Sequence, residues 1–196
     1  EEFGNALFID SELQVAEKDE KKYSGQFVNS ALNLSKANSS AAIIGGGDGG
    51  VARELSSKGF DLIDWYELDP EVVKVCQKYL PKICGDAKAN NKVKTYWGDA
   101  FESIKKVKDQ KYDKIFVDLN DDQFCINLAS KNMKGLKRIL KPGGVITAQV
   151  GCLSKKPKQI KNWMELLETN FGNAKLTEVF IPSFDCRWNF ASSSHK

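Results

Sequence analysis

The chain has 196 residues, a hydrophobic fraction of 41% and a net charge of +3. This length is enough for one α/β domain with a sizeable core, and the small net charge does not favour a nucleic-acid partner. No apolar run approaches the roughly 20 residues that span a bilayer, so we expect no membrane partner. The five cysteines are scattered without a Cys-x-x-Cys pair, which argues against a metal site and predicts reduced thiols in a cytoplasmic protein.

Hydrophobic periodicity predicts a β-hairpin followed by alternating strands and helices. Residues 1–18 form the hairpin, with strands at 5–9 and 13–16, and Asp19 and Glu20 then cap a helix that carries Tyr23. Residues 141–144 read as a turn. The later strands are predicted at 41–44, 61–66, 93–97, 112–117, 145–150, 175–181 and 188–192. Two later helices are predicted to begin at 51 and 70, and three more to cover 100–107, 125–140 and 158–170.

Strands that alternate with helices of ten or more residues indicate a mainly parallel sheet with helices on both faces. The last two strands are predicted to form an antiparallel pair. The fold class is therefore α/β with a Rossmann-like, methyltransferase-type arrangement. We predict two parts, the hairpin at residues 1–18 and a Rossmann-like catalytic domain at residues 19–196.

A glycine-rich turn with one acid follows the first buried strand. Its glycines include Gly45, Gly46, Gly47 and Gly49, and Asp48 lies among them. Glycine lets the backbone turn tightly and approach a ligand closely. A carboxylate in this turn would repel a pyrophosphate but attract an amine.

Acidic side chains recur at the ends of the predicted strands. Glu67 lies about 20 residues after the glycine turn, at the spacing of a group that accepts ribose hydroxyls. Asp99 and Asp118 follow the next two strands. Ligands of open α/β sheets bind outside the carboxyl ends of the strands, so these acids predict a ligand site; the competing interpretation is a plain α/β turn with exposed acids.

The glycine turn and the sequence Glu67-Leu68-Asp69 together resemble the polyamine aminopropyltransferases, which are the spermidine and spermine synthases. The last strands, with Phe184 and Trp188, are similar to spermine and thermospermine synthases in particular. Further similar segments are 4–10, Gln14, Asp19-Glu20, 78–86, Gly98-Asp99-Ala100, Asp118 and 181–184.

This resemblance implies decarboxylated S-adenosylmethionine as a co-substrate and no tightly bound cofactor. Asp48 would hold the aminopropyl amine with Gln14 nearby, Glu67 would hold the ribose hydroxyls, and Asp99 with Ala100 would contact the adenine. Asp118 would be the general base, with the hydroxyl of Tyr23 beside it. The acceptor would be a small-molecule amine, bound in part by Asp48, Asp118, Asp121, Phe184 and Trp188.

The acceptor part of the sequence departs from the family pattern. Residues 118–122 read Asp-Leu-Asn-Asp-Asp where relatives carry Asp-Ser-Ser-Asp-Pro, and Gly25 replaces a glutamate that helps to hold the acceptor. Residues 155–158, which are rich in lysine, read as a solvated helix start. The resemblance thus implies an intact donor site and an altered acceptor site, which favours a different or longer acceptor, such as spermidine, or weakened activity. Putrescine and spermidine both stay open as the acceptor.

Three other functions stay open from the sequence alone. An S-adenosylmethionine-dependent N-methyltransferase would share the fold, but Asp48 would oppose that cofactor's carboxylate. A homologue that binds nucleoside or polyamine without turnover, or a scaffold that binds neither, would also fit. The resemblance allows a homodimer, although relatives usually have more N-terminal strand than the hairpin seen here.

Overall fold

A sheet of seven strands with helices on both faces follows a separate two-stranded hairpin. The computed structural model describes residues 2–87 and 89–195. The strands are β1 Ala6–Ile9, β2 Glu12–Ala16, β3 Ser40–Gly45, β4 Leu62–Glu67, β5 Val93–Trp97, β6 Tyr112–Asp118, β7 Leu140–Cys152, β8 Ala174–Ile181 and β9 Cys186–Ser194. The helices are α1 Glu20–Leu32, α2 Gly50–Ser57, α3 Pro70–Tyr79, α4 Pro81–Cys84, α5 Ala100–Ile104, α6 Gln123–Ile139 and α7 Pro157–Phe171, and Pro182–Phe184 forms one 3₁₀ turn.

The strand order in the large sheet is β5-β4-β3-β6-β7-β9-β8. Strands β3 to β7 run parallel, whereas β9 runs antiparallel to both β7 and β8. The order reverses direction at β3, which has β4 on one side and β6 on the other. Such a switch point opens a crevice at the carboxyl ends of the strands.

The core forms one layer on each face of the sheet. Along β3, Ala42 and Ile44 face the layer that includes residues of α5, α6 and α7, whereas Ala41 and Ile43 face the layer that includes residues of α1, α2 and α3. A strand that is apolar at every position is expected when both faces are covered. Among the described residues, every helix is too short or too polar to cross a membrane.

Apart from shifts of one or two residues at the ends of elements, the structure differs from the sequence predictions at three places. Residues 141–144 are not a turn before a strand but a bulge inside β7, because Tyr112 pairs with Leu140 and Lys114 pairs with Val145. Gly143 takes a φ of +74° there, which glycine adopts without strain. The structure also contains the short helix α4, and α5 ends at Ile104 rather than at 107.

The prediction of five reduced thiols is wrong for one pair. Cys152 and Cys186 form a disulfide bond with a Cα–Cα distance of 6.2 Å. Cys152 is the last residue of β7 and Cys186 is the first residue of β9, so pairing of these two strands brings them together. Their spacing of 34 residues gave no local signal of this contact.

Asp19 does not cap α1 with its side chain. Its carboxylate instead accepts hydrogen bonds from the backbone N–H of Ser183 at 2.7 Å and from the Ser183 hydroxyl at 3.0 Å. The start of α1 is therefore fastened to the 3₁₀ turn between β8 and β9, which is far away in the sequence.

Candidate functional site

A cavity of 870 Å³ lies at the carboxyl ends of β3, β4, β5 and β6. All but one of the residues predicted to form the site line it. The residues in question are Gln14, Tyr23, Gly45, Gly46, Gly47, Asp48, Glu67, Asp99, Ala100, Asp118, Asp121, Phe184 and Trp188. The exception is Gly49. A side chain at this position would point away from the cavity, because its Cβ would meet the Cβ of Cys84 at 3.0 Å.

The glycine turn lies directly against the end of β6. Gly46 has a φ of +70° and donates its N–H to the carbonyl of Asp118 at 3.1 Å. A Cβ on Gly46 would approach the Asp118 carboxylate to 2.8 Å. Glycine is thus required for the turn and the acid at the end of the neighbouring strand to share one wall of the cavity.

Asp48 projects from this turn at the beginning of α2. Its Oδ1 accepts the N–H of Gly50 at 2.6 Å. Burial raises the pKa of Asp48 to about 8, and the charges of Asp118 and Glu20 add to the rise. A bound cation would favour the ionised form of this carboxyl, so the cavity here suits a positively charged group.

A buried ion pair between Glu20 and Arg53 packs against the glycine turn, and the sequence analysis did not predict it. Glu20 is 2% exposed and bonds both to Arg53, at 2.7 and 3.1 Å, and to the Ser24 hydroxyl. A Cβ on Gly50 would collide with the Glu20 carboxylate. The only hint in the sequence was the Asp19-Glu20 pair, and nothing in it pointed to Arg53.

Tyr23 and Asp118 form a hydrogen-bonded pair in the cavity. The Tyr23 hydroxyl donates to Asp118 Oδ1 at 2.6 Å, across 95 residues of sequence. Burial raises the pKa of Asp118 to about 6, while the bond from Tyr23 opposes the rise. Burial, together with the charge of Asp118, also raises the pKa of Tyr23 well above its usual value, so the tyrosine remains a donor and the aspartate can accept a proton near neutral pH.

Glu67 ends β4 and Asp99 follows β5, so the glycine turn after β3 separates them from the Tyr23–Asp118 pair. Glu67 is buried, accepts the N–H of Asp69 at 2.9 Å and touches the position where Gly47 would carry a Cβ. Burial is also the main cause of its raised pKa. Asp99 caps α5 by accepting the N–H of Phe101 at 2.7 Å, which places Ala100 beside it.

An aromatic wall bounds the cavity on the other side of Tyr23. Phe184 and Trp188 line the cavity here, and the fully buried Phe190 packs on Tyr23 behind the surface of the cavity. The ring centroids of Phe190, Phe184 and Trp188 lie 5.2, 6.4 and 6.5 Å from that of Tyr23. The indole N–H of Trp188 donates to Gln149 at 3.2 Å, which also bonds to the carbonyl of Leu119. These contacts fix the wall against β7 and the loop after β6.

The lysines that the sequence assigned to a solvated helix start do stand at the beginning of α7, but they also belong to the cavity. Lys155 and Lys156 both line it. Lys156 pairs with Asp121 at 3.0 Å, and Lys155 donates to the carbonyl of Phe184 at 3.2 Å. Two cations therefore stand at the end of the cavity that the aromatic wall defines.

The hairpin covers a further part of the cavity, and its strand β2 also contacts the 3₁₀ turn that carries Phe184. Gln14 of β2 lines the cavity together with Leu7, Ile9 and Leu13, while its side-chain amide donates to the carbonyl of Glu12 at 3.3 Å. The hairpin thus supplies a mostly apolar cover over the part of the cavity that contains Asp48 and Glu67.

The position of the cavity and its acidic lining together define a class of protein. An acidic crevice at the switch point of a parallel sheet is where Rossmann-like proteins bind nucleotides and nucleosides. The cavity described here adds the buried carboxyl of Asp48 and the Tyr23–Asp118 pair. A carboxyl in the glycine turn would repel a pyrophosphate, so these residues argue against a dinucleotide site.

Comparisons with known proteins identify the family. The model of the spermine/spermidine synthase domain matches residues 20–196. A polyamine aminopropyltransferase of Prochlorococcus marinus (strain MIT 9215) is 34% identical over 205 residues, which cover 100% of this chain and 71% of the relative. One from strain NATL1A is 38% identical over 200 residues, covering 97% and 68% of the two chains. The chain belongs to the spermine/spermidine synthase family, as its sequence predicted.

Solved structures agree on the fold. A spermidine synthase in complex with the transition state analogue AdoDATO superposes with a TM-score of 0.91 at 20% identity, over 99% of this chain and 67% of that one. The spermidine synthase from Thermotoga maritima gives a TM-score of 0.88 at 20% identity, over 99% and 66%. The predicted Rossmann-like, methyltransferase-type fold with its N-terminal hairpin is confirmed.

Proposed function

We propose that this protein transfers an aminopropyl group from decarboxylated S-adenosylmethionine to a polyamine acceptor and releases methylthioadenosine. The observation that carries the proposal is the Tyr23–Asp118 hydrogen bond of 2.6 Å, in a cavity that also holds Asp48, whose pKa is raised by burial to about 8. A base and a cation-binding carboxyl then face the same space. Membership of the spermine/spermidine synthase family supports the same reaction.

The donor would occupy the part of the cavity beneath the hairpin. Its terminal ammonium would pair with Asp48, and binding would lower the pKa of this carboxyl below about 8, since a nearby cation favours the ionised form. The ribose hydroxyls would donate to Glu67, and the adenine would lie near Asp99 and Ala100. Gln14 would close this end from the hairpin.

The reaction is a direct displacement at carbon. The acceptor nitrogen attacks the aminopropyl carbon next to the sulfonium, the C–S bond breaks, and its electrons return to sulfur as a neutral thioether. An amine is protonated near neutral pH and must lose a proton before it attacks. Asp118 would take this proton, while Tyr23 would orient the carboxylate through its hydroxyl.

The pKa of Asp118 sets the expected pH dependence. Because this pKa is about 6, the carboxylate is the major form above that pH and can act as a base. Turnover should therefore fall as the pH drops through about 6, where protonation removes the base.

Product analysis by mass spectrometry tests the proposal. The protein is incubated with decarboxylated S-adenosylmethionine and, separately, with putrescine or spermidine. Methylthioadenosine plus an amine extended by one aminopropyl group is the expected result. Methylation of an acceptor by intact S-adenosylmethionine, or tight donor binding with no product from any amine, would overturn the proposal in favour of another function.

The substitution Asp118→Asn should lower kcat by roughly 10²–10⁴-fold, the usual contribution of a general base. Binding of methylthioadenosine, measured by calorimetry, should change little, because Asp118 acts on the acceptor. Asp61→Asn is the matched control, since Asp61 is an exposed acid before β4, at the amino ends of the strands. Equal activity of the two variants would remove Asp118 from the mechanism.

A further inference from the structure

The charges that line the cavity differ between its two ends. Lys155 and Lys156 lie at the end formed by the aromatic wall, whereas the other charged residues among the described lining are carboxylates. Polyamines carry a positive charge on their nitrogens near neutral pH. Attraction of cations to the carboxylates of the cavity therefore does not explain why two lysines line a site for positively charged acceptors.

The Lys156–Asp121 pair is held in place from several sides. Lys156 Nζ lies 3.0 Å from Asp121 Oδ1, and their side chains are only 34% and 15% exposed. The Asp121 carboxylate also lies flat on Gly151 of β7, where a Cβ would collide with it. This ion pair is therefore a built feature of the cavity wall rather than a chance meeting of surface charges.

The loop that carries both lysines is itself fastened to the wall. The disulfide between Cys152 and Cys186 precedes it, α7 begins directly after it at Pro157, and Lys155 donates to the carbonyl of Phe184 at 3.2 Å. Because of these restraints, Lys156 cannot move far without breaking other contacts.

We propose that Lys156 limits the length of the acceptor by occupying Asp121, the carboxylate that a distal ammonium group would otherwise use. This inference rests on the proposed aminopropyl transfer and names its acceptor class. With one nitrogen at Asp118, a short diamine such as putrescine places its chain along Tyr23 and Trp188. A longer triamine such as spermidine brings a further ammonium group toward Lys156, where it meets a like charge and a carboxylate already paired.

Two substitutions with opposite charge effects test the proposal. Lys156→Gln frees Asp121 and should raise kcat/KM for spermidine relative to putrescine roughly tenfold, which corresponds to about 1.4 kcal/mol. Asp121→Asn leaves Lys156 unpaired and should lower the same ratio. A purely structural role of the pair would move the ratio in the same direction in both variants, and that outcome would overturn the proposal.

Lys158→Gln is the matched control, because Lys158 lies two residues further on, at the exposed start of α7. It should leave the ratio unchanged. Thermal unfolding of each variant checks that the fold is retained. An unchanged ratio in a folded, active Lys156→Gln protein would also contradict the proposal.

Failure of the proposed function would be distinguishable from failure of this inference. If the wild-type protein releases no methylthioadenosine with any amine, calorimetric binding of putrescine and spermidine in the presence of methylthioadenosine replaces the kinetic measurement. Lys156→Gln should then tighten spermidine binding roughly tenfold with little change for putrescine. Equal binding of spermidine to both proteins would count against Lys156 as the determinant of length.

Discussion

The two ends of the cavity are built in different ways. At the donor end, Asp48 and Glu67 each stand at the carboxyl end of a strand, and adjacent parallel strands bring them together. At the acceptor end, Asp121 and Phe184 depend on side-chain contacts between segments that are distant in sequence. The backbone places the first group of residues, whereas tertiary contacts place the second.

This difference predicts which end of the cavity can accept amino-acid substitutions that alter its shape. Strand ends cannot move without disturbing the sheet, so the donor end is expected to keep one geometry. The acceptor end can be remodelled by replacing a few side chains, because its wall is tied by individual bonds such as that of Asp19 to Ser183. A family that varies its acceptor while keeping its donor would benefit from this division.

The largest effect that would sharpen the comparison is expected at the donor end. Asp48→Asn should lower kcat/KM for the donor by roughly 10- to 150-fold, since a buried charged hydrogen bond is worth roughly 1.5–3 kcal/mol. The KM of the acceptor should change far less. Steady-state kinetics with each substrate varied in turn measures both quantities, and a loss confined to the acceptor would break the division between the two ends.

The same substitution should stabilise the free protein at high pH. The pKa of Asp48 is about 8 in the folded protein, against 3.8 in its unperturbed state. Between these values the folded state binds more protons than the unfolded state, so the wild-type free energy of unfolding falls as the pH rises. With screening in the open cavity taken into account, the Asp48→Asn protein should have an unfolding temperature about 2–4 °C above that of the wild type at pH 8. This difference in unfolding temperature should disappear near pH 4. The control Asp61→Asn should show no such trend.

A smaller effect is expected at the junction of the two ends. Tyr23→Phe removes the hydroxyl but keeps the ring in its aromatic contacts, so kcat should fall roughly tenfold, as for a lost bond to a charged group. Because the Tyr23 bond lowers the pKa of Asp118, its loss should move the acidic limb of the pH–kcat profile to higher pH. Tyr79→Phe, at an exposed position of α3, serves as control, and a profile that moves to lower pH would refute this role.

The smallest effect on catalysis is expected from the disulfide of the acceptor end. Replacing Cys152 and Cys186 together by alanine should cost about 2–4 kcal/mol in the free energy of unfolding, measured in urea. The KM of the acceptor should rise a few-fold because the loop of Lys156 loosens, while donor binding stays the same. Dithiothreitol should produce the same changes in the wild-type protein and none in the double variant; weaker donor binding would instead tie the two ends together.

The sequence predicted the fold and the donor end better than the acceptor end. Glycines after an apolar strand, and acids such as Glu67 and Asp118 at later strand ends, are local patterns, and parallel strands then bring them to one side of the sheet. Because these patterns are local, Asp48 and its neighbours in the sequence were enough to show the resemblance to the family. The differences within this part are the bounds of several elements, the short helix α4, one bulge and the ion pair of Glu20 with Arg53.

The missed features all join segments far apart in the chain. The Cys152–Cys186 bond spans 34 residues, and the bonds of Asp19 to Ser183 span 164. Neither Lys156 nor Asp121 carries a local sign that it will find the other. Periodicity describes one segment at a time, so it assigned Asp19 to a helix cap and Lys156 to solvent.

The position of β9 has a consequence for how the protein is made. This strand lies between β7 and β8, and it carries Trp188 and Phe190 of the aromatic wall. While a nascent chain still lacks β9, β8 has no place in the sheet, and β7 presents an unpaired edge that is prone to aggregation. The donor pocket can thus form on the ribosome before the acceptor wall exists. A chain shortened within β9 should keep affinity for a nucleoside but not transfer to an amine, so competence for catalysis requires β9.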